Sequence, residues 1–404
     1  MVIGIDASRA NKKFKTGTEW YSYYLIINLI KLDSENKYIL YSDQPLSSSF
    51  LFDLDLEKNT HVRVKVLKWP SKYLWTLGRM SLEMIFCRPD VLFVPAHVLP
   101  FFSPKKTINT IHDVAFLKDD LLYSPDMSSS NSRCVDSWLN ILVKIFTCGR
   151  YRFRSVDYLD WSTRFALKKA KKIIAVSNTT KQEILNSYPK AKEDKISVVH
   201  NGYNNNLYRV IDDKSVINSI LKKYGLNFKF FLYVGRLEKK KNLHTLIEAF
   251  ASYKEKTAGE EKLVLIGKIG YGCDEIKYLV SELDLESEVV ALGWVDEKDL
   301  ASIFNQAEIF IFPSLHEGFG IPVIQAMACN TPVIASDIPV LKEVAQEAAL
   351  FFSCHDSGDL AEKIEKIQND LILKEELRKK GLAHSQNFSW VKCAQETLNV
   401  IKSL

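Results

Sequence analysis

Residues 313–336 form the part of the chain whose residue types and spacing could do chemistry. They read Pro-Ser-Leu-His-Glu-Gly-Phe-Gly-Ile-Pro-Val-Ile-Gln-Ala-Met-Ala-Cys-Asn-Thr-Pro-Val-Ile-Ala-Ser. Glu317 lies in a glycine-containing loop, and Pro322 is typical of the first turn of a helix. Backbone N–H groups at a helix start have no partner within the helix, so they suit an anion or sugar hydroxyls. The N–H groups concerned belong to Phe319, Gly320 and Ile321.

The elements that must position this loop follow from short β-branched runs that alternate with longer amphipathic stretches. This alternation is typical of a parallel sheet covered by helices. Six strands are predicted in each half, which indicates two doubly wound domains joined at the turn-rich segment 200–206. The first six are Val2–Ile5, Lys37–Tyr41, Val62–Leu67, Val91–Val94, Thr107–Ile111 and Ile173–Val176, with helices Trp20–Lys31 and Ser162–Lys171. The second six are Phe230–Val234, Lys262–Ile266, Val289–Leu292, Ile309–Phe312, Val333–Ser336 and Ala349–Phe352.

Parallel sheets of this kind bind ligands beyond the carboxyl ends of their strands, where the connecting loops gather. We therefore expect the functional residues in the loops at Gly17, His112, Gly235, Gly267, Gly293 and Glu317.

Motifs along essentially the whole chain resemble those of glycosyltransferase family 4, the retaining, nucleotide-sugar-dependent transferases of the GT-B fold. Residues 313–336 are similar to that family's signature, which has two Glu residues with seven residues between them and an E-G-F-G-x-P interior. One such motif is weakly specific, but ten in the family's order are strongly specific. The others are Thr16-Gly17-Thr18, His112-Asp113, Ala175–Asn178, His200–Gly202, Gly235-Arg236, Lys241-Asn242, Gly267-Lys268, Gly293–Val295 and Phe388–Trp390.

The resemblance implies roles for individual residues. Arg236 and Lys241 match the cationic pair that binds the donor diphosphate, a leaving group that needs positive donors to take its charge. Glu317 matches the carboxylate that accepts hydrogen bonds from the donor sugar, and His112 matches the histidine that faces this sugar. His112 and Glu317 are therefore the predicted catalytic residues. The other implied donor contacts are the backbone at Phe319, Gly320 and Ile321, Gly17 beside the phosphate, Gly267 beside the ribose and Val295 near the nucleobase.

Two of these residues also have a structural interpretation. An acidic residue such as Glu317 is favourable at a helix start because of the helix dipole. A single histidine at a strand end, as at His112, is more often structural than functional. The glycine-containing loop around Glu317 favours its functional interpretation, and the order of the motifs favours that of His112.

One position departs from the family's pattern. Gln325 stands where the family has its second Glu, whose two oxygens accept from the ribose hydroxyls. An amide offers one acceptor oxygen and no charge. We therefore expect donor binding to be weaker by about 1–2 kcal/mol, the difference between a charge-assisted and a neutral hydrogen bond. Gln325 is also the one feature that favours the alternative of a non-catalytic GT-B protein that binds sugar or acts as a scaffold.

Composition excludes several classes of protein. The 404 residues are 47% hydrophobic and 25% charged, which is typical of a folded globular chain. The net charge of +5 is too small to indicate a nucleic-acid-binding protein. Seven scattered cysteines without a C-x-x-C pair indicate neither disulfides nor zinc. Asp53-Leu-Asp55 formally matches a metal-binding Asp-x-Asp pattern, but we predict that it lies in a polar loop. The cations matched to the leaving group make a metal unnecessary, so we interpret the match as chance and expect no metal.

Residues 118–160 interrupt the alternation. Trp138–Phe146 is apolar and is followed by Arg150-Tyr-Arg-Phe-Arg154, a pattern that suits either a peripheral membrane contact or an extra helix with a solvated basic end. We do not expect a signal peptide at the start of the sequence, because Asp6 and Arg9 interrupt its apolar run. We expect a cytoplasmic location, and a peripheral membrane contact would place the protein at the inner face of the membrane.

The resemblance implies two Rossmann-like domains facing a cleft. Residues 1–200, with helix 388–404 crossing back, would bind the acceptor, and residues 201–387 would bind the donor. The expected reaction moves a hexose, mannose being favoured, from a nucleotide diphosphate sugar such as GDP-mannose to a glycan or lipid-linked glycan in surface polysaccharide assembly. No cofactor or nucleic-acid partner is expected.

Overall fold

The chain divides into two compact units in the computed structural model, which describes residues 1–69, 75–117, 122 and 154–404. The first unit comprises Met1–Gly202 and Trp390–Leu404, and the second comprises Tyr203–Ser389. The boundary predicted at residue 200 lies two residues before this division.

The described part of the first unit is built on a parallel sheet of seven strands in the order β3-β2-β1-β4-β5-β6-β7. Every residue of β4 and β5 is buried, as expected for central strands covered by helices on both faces. Ile3 of β1 pairs with Tyr38 of β2 on one side and with Val91 of β4 on the other. The strands are β1 Val2–Asp6, β2 Lys37–Ser42, β3 Val62–Val66, β4 Val91–Val94, β5 Thr107–Ile111, β6 Lys172–Ala175 and β7 Ile196–Val198.

Helices connect these strands, and several begin at a residue suited to the position. The Ser177 hydroxyl accepts the N–H of Thr180 and so caps the helix after β6. The helices are α1 Gly17–Leu32, α2 Ser48–Leu54, α3 Ser81–Phe86 with a π turn Thr76–Met80 before it, α4 Ser155–Lys169 and α5 Asn178–Ser187. Short 3-10 turns lie at Ala115–Leu117 and Glu193–Lys195.

The second unit is built on a parallel sheet of six strands in the order β10-β9-β8-β11-β12-β13. Its strands are β8 Phe230–Val234, β9 Lys262–Ile266, β10 Val289–Gly293, β11 Ile309–Phe312, β12 Val333–Ser336 and β13 Leu350–Phe352. Its helices are α6 Lys214–Lys223, α7 Leu243–Thr257, α8 Cys273–Glu282, α9 Glu297–Gln306, α10 Ile321–Ala328, α11 Pro339–Ala345, α12 Ser357–Asn369 and α13 Leu371–Ser385. Short 3-10 turns lie at Lys239–Lys241 and Gln346–Ala348.

The last helix, α14 (Trp390–Lys402), belongs to the first unit and packs against α1. The Trp390 ring stacks on the Tyr24 ring with centroids 5.7 Å apart, and its edge contacts the Tyr21 ring at 6.0 Å. Aromatic contacts of this kind add to the stabilisation from buried area.

The two-sheet architecture predicted from the sequence is confirmed, with differences in detail. In the part of the chain described, the first sheet has seven strands, whereas six were predicted. The strand that the sequence did not predict is β7. That strand is only three residues long, too short to show a pattern. The helix predicted to begin at Ser162 begins at Ser155 and ends at Lys169. The helix after β1 begins at Gly17, three residues earlier than predicted.

Most of the segment that could contact a membrane, residues 118–160, lies outside the described residues. Trp138–Phe146, Arg150 and Arg152 are among those not described. Of the basic residues in this pattern, the structure describes only Arg154. Among the described residues, no helix combines the length and the apolar character needed to span a bilayer.

Candidate functional site

The order of the strands identifies a position in the second sheet where a ligand is expected. β8 and β11 are neighbours in the middle of the sheet. From β8 the strand order continues outward through β9, and from β11 it continues outward in the opposite direction through β12. Such a switch point leaves a crevice at the carboxyl ends of the two strands. The segment after β8 contains Arg236 and Lys241, and the segment after β11 contains Glu317. The sheet therefore places these three residues, which are predicted to bind the donor substrate, at the carboxyl ends of two adjacent strands.

The Lys241 ammonium forms an ion pair with the Glu317 carboxylate. Each of these side chains is only 13% exposed, so the pair is largely shielded from water. The Lys241 ammonium also lies 5.7 Å from the centre of the Phe312 ring, at the end of β11. The backbone joins the same two loops, because the N–H of Leu315 donates to the carbonyl of Lys240 at 3.1 Å. These contacts fix the predicted phosphate-binding lysine beside the predicted sugar-binding carboxylate.

Arg236 lies more openly in the loop after β8. Its side chain is 50% exposed and pairs with Glu238 at 3.3 Å. The backbone carbonyl of Arg236 accepts a hydrogen bond from the Tyr233 hydroxyl at 2.9 Å. Burial, together with the charges of Glu317 and Glu238, raises the pKa of Tyr233 well above its usual value. The phenol therefore stays protonated and continues to hold the backbone at Arg236.

Gly320 forms the turn that leads from the Glu317 loop into α10. Its φ of +100° is a conformation that side chains rarely adopt, and a Cβ there would lie 2.8 Å from Cδ2 of Leu341. Ile321 begins the helix, and the N-cap residue, Gly320, has no side chain that could cap it. Phe319 is buried and its ring packs edge-on against Phe388 at 5.7 Å. The backbone at this helix start is thus held in place by a buried ring on one side and a glycine turn on the other.

The loops after β9 and β10 are joined to the Arg236 loop through their backbones. Gly267 (φ +148°) comes so close that a Cβ there would lie 1.8 Å from the carbonyl oxygen of Gly235. Its N–H donates to the carbonyl of Gly293 at 2.8 Å. Further backbone hydrogen bonds run from Gly235 to Ile266 at 2.9 Å, Leu237 to Lys268 at 2.8 Å, Gly270 to Leu237 at 2.9 Å and Lys239 to Tyr271 at 2.9 Å.

Two of the predicted nucleoside contacts lie at this joined edge. Val295 is buried just after β10, and Gly267 follows β9. Gln325 is half-buried on α10, eight residues after Glu317. The structure thus places these residues on the loops and the helix around the switch point, while their roles toward a nucleotide remain predictions.

Three residues at this edge carried no predicted role. The Lys268 ammonium lies 5.7 Å from the centre of the half-buried Trp294 ring, which combines a cation with an aromatic face. The Ser314 hydroxyl is buried at the end of β11 and has no hydrogen-bond partner in the part of the chain described. Lys268 and Trp294 belong to the Gly267-Lys268 and Gly293–Val295 motifs, which single out their positions but assign no role to their side chains.

In the first unit, Gly17 is exposed at the first position of α1. A methyl group at Gly17 would meet no other atom within 4 Å, so no close approach within the chain requires a glycine there. The preceding Thr16 donates its N–H to the Glu19 carboxylate at 3.1 Å, and its hydroxyl donates to the same carboxylate. The Glu19 carboxylate, in the first turn of α1, thus accepts the hydrogen bonds at the start of this helix.

His112 follows β5 and is buried. Its Nε2 lies 3.1 Å from the Pro95 carbonyl, which can only accept, so Nε2 carries the proton. Its ring meets the Tyr21 ring edge-on at 4.8 Å. Burial, and to a lesser degree the charge of His97, lowers the pKa of His112 to about 4. The imidazole is therefore neutral at pH 7, and Nδ1 is left as an acceptor suited to a hydroxyl.

The Asp-x-Asp match does not form a polar loop as predicted. Asp53 lies within α2, where its carboxylate accepts the Tyr23 hydroxyl at 2.5 Å. Asp55 pairs with Lys58 at 2.9 Å. Both carboxylates thus have protein partners. No group of three His, Cys, Asp or Glu side chains in the described ranges could hold a metal ion.

Two doubly wound parallel sheets, each in its own unit, define the class of GT-B proteins, and solved structures bear this out. HepE from Anabaena, in a complex with UDP and glucose, matches with a TM-score of 0.70 at 18% identity, over 100% of this chain and 99% of HepE. Residues 16–207 match the family model Glycosyltransferase Family 4, and residues 217–384 match Glycosyl transferases group 1. The chain belongs to glycosyltransferase family 4 and is a glycosyltransferase, which confirms the prediction.

Curated relatives add further similarity. The chain is 29% identical to O-antigen chain mannosyltransferase B of Escherichia coli over 327 residues, 80% of this chain and 83% of that protein. It is 30% identical over 230 residues to the serotype-specific mannosyltransferase WbdA of Escherichia coli, 56% of this chain and 28% of that longer protein.

Proposed function

We propose that this glycosyltransferase takes mannose from GDP-mannose and transfers it, with retention of configuration, to a glycan or lipid-linked glycan during surface polysaccharide assembly. The names of the two E. coli relatives support mannose as the sugar and O-antigen-type polysaccharide as the product class. The HepE complex supports a nucleoside diphosphate sugar as the donor, since that related fold binds UDP and glucose.

The observation that carries the proposal is the shielded pair of Lys241 and Glu317 at the switch point of the second sheet. A nucleoside diphosphate sugar has an anionic part and a hydroxyl-rich part, joined at the anomeric carbon. Lys241 and the half-exposed Arg236 suit the diphosphate, and Glu317 suits the sugar hydroxyls. A donor that binds here exchanges the internal ion pair for two contacts, one on each side of the bond that breaks.

The proposed chemistry needs no protein nucleophile. The bond between the anomeric carbon and the phosphate oxygen breaks while the acceptor oxygen bonds to the same face of that carbon. The acceptor proton passes to the departing diphosphate, and Arg236 and Lys241 stabilise the charge that develops there. Glu317 and the neutral His112 would orient the sugar through its hydroxyls. Because the cations are side chains, the reaction would proceed without a metal ion.

Calorimetric titration with GDP-mannose, UDP-glucose and dTDP-glucose, in buffer containing EDTA, tests the donor. We expect GDP-mannose to bind most tightly and Lys241→Met to weaken it at least tenfold. Lys239→Met is the matched control, since Lys239 lies in the same turn but pairs with the exposed Glu275. Equal affinity of the Lys241 and Lys239 variants would contradict the proposed diphosphate site, and preference for another nucleotide would contradict GDP-mannose.

The anomeric configuration of the product tests retention. The donor carries an α-linked mannose, so NMR of the isolated product should show an α-mannoside, and a β-mannoside would refute the proposed mechanism.

Contact of residues 118–160 with a membrane surface is a separate part of the proposal. Flotation with anionic vesicles tests it, using a variant with Arg150, Arg152 and Arg154 changed to Glu, which should lose binding.

A further inference from the structure

The loop between β1 and α1 concentrates positive charge at the switch point of the first sheet. β1 and β4 are neighbours there, as β8 and β11 are in the second sheet. The loop follows the carboxyl end of β1, the edge at which doubly wound sheets bind ligands. Four cationic side chains occur within seven residues: Arg9, Lys12, Lys13 and Lys15.

The backbone of this loop is anchored through Asn11. The Asn11 side-chain amide donates to the carbonyl of Pro45 at 2.9 Å, and its oxygen accepts the N–H of Ser47 at 2.8 Å. Asn11 is only 4% exposed, so these bonds are shielded from water. The backbone that carries the cations is therefore held in place, which lowers the cost of ordering the loop around a ligand.

Two of the four cations balance neighbouring carboxylates. Arg9 pairs with Glu19 at 3.4 Å, and Lys12 pairs with Asp43 at 2.9 Å. The side chains of Arg9 and Lys12 are 52% and 39% exposed, so solvent still reaches both. Glu19 also accepts the N–H of Thr16 at the start of α1. An incoming anion would therefore meet the side-chain cations rather than the helix terminus.

The other two cations lie against aromatic rings. The Lys13 ammonium is 5.5 Å from the centre of the Phe14 ring, and both residues are exposed. The buried Lys15 places its ammonium 4.7 Å from the Tyr23 ring and 5.1 Å from the Trp20 ring. The ring contact positions the exposed Lys13 ammonium and leaves its charge in place. The loop thus presents exposed cations and, beside Lys13, the exposed aromatic side chain of Phe14.

We propose that the loop from Arg9 to Lys15 binds a phosphate or diphosphate group on the acceptor. This inference rests on the proposed function, and it narrows the acceptor to a phosphorylated one. Lys12 and Lys13 would contact the phosphate oxygens, while Phe14 would pack against the adjoining prenyl chain or sugar face. The phosphate belongs either to a lipid-linked glycan or to a phosphorylated sugar.

The test measures anion binding to the full chain after the donor site has been saturated with GDP. The probes are farnesyl diphosphate, farnesol in the same detergent, and mannose 1-phosphate. The variant carries Lys12→Gln and Lys13→Gln. The matched control carries Lys105→Gln and Lys106→Gln, which removes two exposed, adjacent lysines just before β5. These lysines lie at the amino ends of the strands, whereas the Arg9–Lys15 loop lies at the carboxyl ends. A single Lys13→Gln variant avoids disturbing the contact between Lys12 and Asp43.

We expect both phosphorylated probes to bind the control as they bind the unmodified chain, and to bind the double variant about tenfold more weakly. Tighter binding of farnesyl diphosphate than of mannose 1-phosphate would identify the lipid-linked source, and the reverse would identify a sugar phosphate. Equal losses in the variant and the control, or no loss in either lysine variant, would overturn the proposal. Equal binding of farnesol and farnesyl diphosphate would also overturn it.

GDP-mannose affinity separates this inference from the proposed function. The Lys12 and Lys13 variants should bind GDP-mannose as the unmodified chain does. A matching loss of GDP-mannose affinity would assign the loop to the donor and so overturn an acceptor site. Failure of the unmodified chain to bind GDP-mannose, with phosphorylated probes still dependent on Lys13, would refute the donor assignment and leave the anion site standing.

Discussion

Replacing Glu317 by Gln should have opposite effects on stability and on the binding of GDP. The variant keeps the shape of the side chain but removes the negative charge beside Lys241. Breaking a buried ion pair costs about 3–5 kcal/mol, whereas an exposed pair contributes less than about 1 kcal/mol. Because both side chains are 13% exposed, and the amide still offers Lys241 one acceptor, we expect a loss of about 2–3 kcal/mol in unfolding free energy.

GDP should bind this variant more tightly than it binds the unmodified enzyme. In the unmodified enzyme, the diphosphate must draw Lys241 away from Glu317. The neutral amide competes far less, so we expect roughly tenfold tighter binding, which corresponds to about 1.4 kcal/mol. GDP-mannose should gain less than GDP, because its sugar loses the carboxylate acceptor. Transfer activity should fall for the same reason.

Urea unfolding measures the first effect and calorimetry with GDP measures the second. The control is Glu275→Gln, which breaks the pair between Lys239 and Glu275 at 3.3 Å, whose side chains are 41% and 63% exposed. It should change stability by less than about 1 kcal/mol and leave GDP binding unchanged. Weaker binding of GDP to Glu317→Gln than to the unmodified enzyme would refute the competition between the phosphate and Glu317.

Three further predictions concern single positions. Gln325→Glu should lower the GDP-mannose dissociation constant by about tenfold, because it restores a charged acceptor for ribose hydroxyls; an unchanged or raised value in calorimetry would exclude Gln325 as a ribose contact. Gly320→Ala should destabilise the protein by about 1–3 kcal/mol in urea unfolding, because of its φ of +100° and the close Leu341; Gly17→Ala is the tolerated control. The pKa of His112 is lowered to about 4, so only the unfolded chain takes up that proton between the usual pKa of about 6.5 and pH 4. Stability should therefore fall by about 3 kcal/mol across this window, and His112→Asn should show that much less loss between pH 7 and pH 4 in urea unfolding.

The strands were the most predictable part of the fold. All twelve predicted strands occur within one residue of their predicted ends. Parallel strands that are buried on both faces need apolar residues throughout, so each leaves a continuous run in the sequence. β7 (Ile196–Val198) lacks such a run because it has only three residues, two of them half-buried. Helix ends were less predictable, since α4 begins seven residues before the predicted Ser162.

The site was predictable as a set of residues but not as a set of contacts. Motif order singled out Lys241 and Glu317 individually, yet nothing local in the sequence shows that they pair, because 76 positions separate them. Their pairing depends on β8 and β11 being neighbours, which is a property of the sheet order. The burial of His112 is likewise set by Tyr21 and other residues of distant segments.

The backbone bonds around Gly267 bear on how donor preference could be changed by engineering. The segments 235–242, 267–272 and 293–295 are connected through main-chain atoms, so each one's shape depends on the others. If one such segment were replaced by that of a relative with another nucleotide preference, its side chains would be suited to the relative's other two segments. They would not match the two segments that remain in this chain. Exchange of all three together is the smallest transplant that preserves the connections, and natural changes of donor should have required coordinated substitutions across them.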